Sequence, residues 1–131
     1  MIGIYAKSDK DCLRACIASI LEKEYDEIPE VDPELPHEEF WAKYREVLNK
    51  FGFEPVTIEK ESSLDLKIFT IGLGKSGEID HAVVCYEGHV VHDPSCSKMS
   101  VVEQYLLLIP MFPWKYQSEM TSKNFYIGEA K

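Results

Sequence analysis

A chain of 131 residues, 45% hydrophobic and 28% charged, is long enough to bury one core and too ordinary in composition for a disordered or fibrous protein. With 14 Lys and Arg against 23 Asp and Glu, the formal charge of −9 argues against nucleic-acid binding, because affinity for phosphates rests on basic residues displacing counterions. No apolar run approaches the roughly 20 residues of a membrane span, and Met1 to Lys7 holds no signal-peptide core, so a cytoplasmic single domain over 1–131 with no membrane partner is expected.

The first element is a helix at about 11–23: Leu13, Cys16, Ile17, Ile20 and Leu21 follow helical spacing, and Asp11 stands where an N-cap belongs. Tyr25 to Pro36 carries three prolines and reads as a connection. A second helix runs from His37 to Phe51 on the stripe Phe40, Trp41, Tyr44, Val47, Leu48 and Phe51, taken as core, and Gly52 stops it. Phe53 to Ile58 is a strand in which Pro55 suits a sheet edge. A polar loop over 59–65, a strand from Lys67 to Leu73 and a flexible loop from Gly72 to Gly77 follow. The strongest β signal is a hairpin: Ala82 to Tyr86, a turn at Glu87-Gly88, then His89 to Pro94. Val101 to Ile109 starts with helical character and ends as a strand from Tyr105, and residues 110–131 form an extended tail of unclear structure. Helices first and an antiparallel sheet after them make an α+β fold.

Cys12, Cys16, Cys85 and Cys96 read as free thiols, since a chain with this core has no need of disulfide staples. Cys12 differs from the rest by position. A thiol becomes a nucleophile when its pKa is lowered and a base is held near it. The unpaired N–H groups of the first helical turn favour an anion at Cys12 and would also hold a tetrahedral oxyanion. Cys16, one turn deeper on the apolar side, is core.

The base is sought on the hairpin. A three-residue loop, Tyr86-Glu87-Gly88, pairs Cys85 with His89, Val83 with Val91 and His81 with Asp93, bringing imidazole and carboxylate together on one face. A two-residue loop would shift the register by one and separate them. Cys12, His81 and Asp93 are therefore the candidate catalytic residues, and the three-residue loop is the geometric condition for the set.

Asp11-Cys12-x-x-Ala15-Cys16 at the head of a buried helix, His81-Ala-Val-Val and the later Asp93-Pro94 together resemble the papain-like cysteine peptidases. The likeness is to bacteriocin-processing leader peptidases and to small stand-alone papain-fold proteins of phages and bacteria, and it spans roughly residues 2–110. It implies a papain-like fold, a peptide or protein as substrate or partner, and Cys12 as nucleophile with His81 as base and Asp93 as orienting group. The family also places a glutamine just before the nucleophile to line the oxyanion hole. Here that stretch is Tyr5-Ala6-Lys7-Ser8, so Lys7 and Ser8 are the candidate donors. A second function is carried alongside the first, a papain-fold binding protein with weak or absent catalysis, such as a phage protein engaging a host protein.

No cofactor or metal is expected. His89-x-x-His92 would stand on opposite faces of a strand, and no Cys-x-x-Cys completes a zinc site. Cys12 and Cys16 have three intervening residues, where thiol-disulfide enzymes favour two.

Overall fold

A computed structural model describes residues 1–7, 11–59, 67–76, 79–94 and 101–111. Two helices, α1 (Cys12–Leu21) and α2 (His37–Lys50), precede five strands: β1 (Phe53–Glu59), β2 (Phe69–Ser76), β3 (Ile79–Tyr86), β4 (His89–His92) and β5 (Val101–Pro110). The strands form one antiparallel sheet in the order β1-β5-β2-β3-β4. The fold is α+β, with two helices and a five-stranded sheet. Among the described residues no helix is long and apolar enough to cross a membrane.

α1 packs against β3 and β2, and its Cys16, Ile17 and Ile20 join Ile71, Ala82, Val84, Leu106 and Leu108 in the main core. The helix tolerates Ser19 because that hydroxyl donates 2.8 Å to Ala15 O and accepts from Ile4 N–H at 2.9 Å. It ends at Leu21, earlier than the expected 23, because Glu22 turns left-handed (φ 55°) and Lys23 N–H reaches back to Ala18 O. α2 packs against β1 and closes at Gly52 with φ 91°, a conformation that glycine adopts without strain. The acidic connection between the helices holds a single 3₁₀ turn, Tyr25–Glu27, and buries Tyr25, Ile28 and Val31.

The central strands bury both faces. On the face away from α1, Val83, Cys85, Ile68, Tyr105 and Leu107 make a second cluster, which is why β3 and β5 read as near-continuous apolar runs. Thr70, 2% exposed, also lies in the sheet interior, and its hydroxyl has no hydrogen-bond partner among the described residues.

Two sequence expectations are corrected. The segment from Gly72 is no loop: β2 continues to Ser76, paired with β3 on one side and β5 on the other. A Cβ at Gly72 would stand 3.0 Å from Cys85 Sγ and 3.3 Å from Val83 and Val102 methyls, so glycine here marks close packing rather than flexibility. The helical start expected for Val101 is also absent, because β5 is extended along its whole length between β1 and β2. The loop expected over 59–65, Gly77, Cys96 and the tail beyond Met111 lie outside the described residues, apart from Glu59, which closes β1. The prediction for Pro55 agrees with the structure: β1 is an edge strand, paired only with β5.

Candidate active site

The β3–β4 hairpin places the site, and its register differs from the expected one. Glu87 (φ 52°) and Gly88 (φ 79°) are both left-handed, the requirement of a two-residue type I′ turn, and Tyr86 pairs with His89. Continued regularly, that register would set Asp93 opposite Ala82, on the face away from His81. The ladder slips instead: Cys85 pairs with Val90 but Val84 pairs with His92, leaving Val91 as the extra residue of a bulge. Counting on from the bulge, Asp93 lines up with Val83 and returns to the face of His81. The three-residue loop is thus overturned, and the bulge restores what it was meant to explain.

His81 Nε2 lies 3.0 Å from Asp93 Oδ1, with the imidazole side chain 4% exposed and the carboxylate 23%. The carboxylate accepts, so Nε2 carries the hydrogen and Nδ1 is the basic nitrogen of the neutral ring. Next to His81 on β3, Asp80 is exposed and pairs at 2.7 Å with the exposed Lys75 of β2.

Cys12 opens α1 and is 7% exposed. Its thiol contacts the backbone N–H of Ala82, the residue after His81, together with the N–H groups of Leu13 and Cys12 itself, and it feels the charge of Asp93. The structure therefore brings the thiol to the peptide joining His81 to Ala82 and within electrostatic reach of the carboxylate that holds the imidazole. The expected lowering of its pKa is not the net result. Burial pushes the thiol up, Asp93 adds to that, and the three backbone N–H groups oppose it. Cys16 is raised well above an ordinary thiol by complete burial, and burial pushes Cys85 up to about 11. All three are free thiols.

Asp11 sits at the N-cap position, yet its carboxylate accepts the Tyr25 hydroxyl instead of capping the helix. First-turn N–H groups are in this way left to face the thiol. Sequence reasoning missed the polar network built here. Arg14 Cζ stacks 4.2 Å from the Tyr25 ring centre while its Nε donates 2.7 Å to Ile28 O. Its signal was present as the only charge within an otherwise apolar helix. Tyr44, assigned to core and indeed buried, has its phenol raised by burial and by Asp11 and Cys12, with Arg14 opposing, which sets it at the same helix end. Phe40 packs edge-on against it and against Trp41, which lies tilted to Tyr44 and continues the aromatic wall.

Of the two oxyanion candidates, Lys7 has its ammonium 3.4 Å from Asp26 Oδ1 and 4.8 Å above the Tyr25 ring, and Ser8 lies outside the described residues. The bulge also changes the two other histidines of the hairpin. His89 and His92 pair with Tyr86 and Val84, so they share a face rather than opposing each other. Among the described residues no group of three or more His, Cys, Asp or Glu is arranged to hold a metal. No protein-family model matches the chain, and no curated protein matches its sequence.

Proposed function

We propose that the protein is a papain-like cysteine hydrolase acting by acyl transfer on a peptide or protein, with Cys12 as nucleophile, His81 as base and Asp93 as the group that orients it. The observation that carries this is the 3.0 Å His81–Asp93 hydrogen bond, together with a thiol that opens a helix and meets the backbone N–H of Ala82, the residue after His81. The order of Cys12, His81-Ala-Val-Val and Asp93-Pro94 resembles that family and supports the reading.

In this mechanism the raised thiol is a neutral S–H in the resting state, so no preformed thiolate is required. As Sγ attacks the carbonyl carbon, His81 Nδ1 takes the thiol proton, and Asp93 holds the Nε2–H and the resulting imidazolium. The N–H groups of Cys12 and Leu13 stabilise the oxyanion. His81 then gives its proton to the leaving group, which departs and leaves a thioester on Cys12. Water attacks that thioester, again losing its proton to Nδ1, and releases the acid and the free thiol.

A p-nitrophenyl ester supplies a small acyl group for the test. Mass spectrometry is expected to find the acyl group on Cys12, with the rate falling about 10²- to 10⁴-fold in His81→Ala. Equal rates in wild type and His81→Ala, or acylation of other residues alone, would falsify the proposal. The burial that raises the Cys12 thiol also suits a binding protein on the same scaffold, for which Cys12→Ala leaves partner binding intact and no acyl-enzyme forms.

A further inference from the structure

His92 is left over from the mechanism, and so is the chain before α1. The two are joined. His92 Nε2–H donates 2.6 Å to Ile4 O, and Tyr5 meets the same imidazole edge-on with ring centres 4.9 Å apart. A Cβ at Gly3 would stand 3.2 Å from two atoms of that ring, so any larger residue would have to push the ring back by a few tenths of an ångström. One residue beyond Asp93, Pro94 O accepts from Ala6 N–H at 3.0 Å. Asp93 is therefore the middle residue of three, fastened on both sides to residues 3–6. His92 faces the α1 side of the sheet while Asp93 faces His81.

The same segment is tied to the helix that carries the thiol. Ile4 N–H donates 2.9 Å to Ser19 Oγ and Ile2 N–H 3.2 Å to Ser19 O. Ser19 and Cys12 sit on one rigid helix, so the strap references the position of Asp93 to the element that bears the nucleophile.

We propose that residues 3–6 act as a strap that sets the Asp93 carboxylate against His81, with His92 as the positioning residue through which it acts. The role as a catalytic aid rests on the functional reading above; the role in placing Asp93 does not. β4 has four residues, ends at His92 and is bulged at Val91, so Asp93 lies just beyond the ladder, at the point the strap reaches.

Two readouts on the full-length chain separate the two levels. The first is the NMR signal of the His81 Nε2 proton, which a bond to Asp93 protects from exchange. It is expected in wild type and in His92→Gln, whose amide can still donate to Ile4 O, and is expected to be lost by exchange in His92→Leu. The second is acylation of Cys12, expected to fall about tenfold to a hundredfold in His92→Leu, the cost of a misplacement of order 1 Å. His92→Gln restores most of the rate, and in an Asp93→Ala background His92→Leu has little further effect, because both act through one carboxylate. If His92→Leu does not fold, Gly3→Ala, which pushes a methyl against the ring, gives a weaker version of both changes. Persistence of the His81 proton signal in folded His92→Leu, or a loss fully additive with Asp93→Ala, overturns the strap. Acylation indifferent to His81→Ala, with the proton signal still dependent on His92, leaves the strap standing and sinks the hydrolase.

Discussion

The two edges of the sheet are protected in different ways. β1 pairs with β5 through seven successive residues, Phe53 to Glu59, without a slip, and Pro55 removes one donor that a foreign strand could use. β4 is shorter, slips at Val91, leaves Val90 and Val91 about half exposed, and is met by residues 3–6 at its end, through the His92 ring and Pro94 O. One edge is closed by a residue that ends its chemistry. The other is interrupted by a bulge, and the bulge together with the strap at its end carries Asp93 to His81. A protein that needs an irregular backbone at a site gains the edge protection from the same irregularity.

The largest test of that difference removes residues from the bulge. Deleting Val91 alone takes out the supernumerary residue and still leaves His92 opposite Val84, so Cys12 acylation is expected to stay within about tenfold of wild type. Deleting Val90 and Val91 together moves Asp93 opposite Val84, onto the face away from His81. Acylation is then expected to fall about a hundredfold or more, most of what a positioned base contributes. Equal losses in the two deletions would break the register account. The smallest effect belongs to the other edge: Pro55→Val restores an edge donor far from the thiol, and acylation is expected to change by less than about twofold, as surface changes usually do. A large loss there would show that the two edges are not independent.

Both helices were legible because their apolar residues repeat at helical spacing and a local pattern decides them. Pro55 was legible for a local reason too, its missing N–H. The hairpin was half legible. Pairing of His81 with Asp93 followed from parity, but the route was wrong: Glu87 accepts a left-handed backbone, so the turn is shorter, and the bulge makes up the residue. What stayed hidden depends on neighbours distant in sequence. Gly72 and Gly74 resemble loop residues until β3 and β5 close on both sides of them. The Cys12 thiol looked activated from its helix position alone, whereas burial under the β3 chain outweighs the first-turn N–H groups. In the sequence His92 reads only as a metal ligand to be set aside, because nothing in the hairpin announces that Ile4 O, 88 residues away, will accept its N–H.

The account turns on whether His81 delivers basicity to a thiol that its surroundings raise. The direct measurement is the rate of Cys12 acylation by the nitrophenyl ester from acid to alkaline pH, in wild type and in His81→Ala. A raised thiol stays protonated through neutral pH and ionises only above the ordinary thiol range, so on its own it reacts only there. With His81 as base, the wild-type protein is expected to be acylated well below the alkaline range where a raised thiol ionises by itself, while His81→Ala shows the alkaline limb alone. Superimposable alkaline profiles for the two proteins would contradict the proposed site.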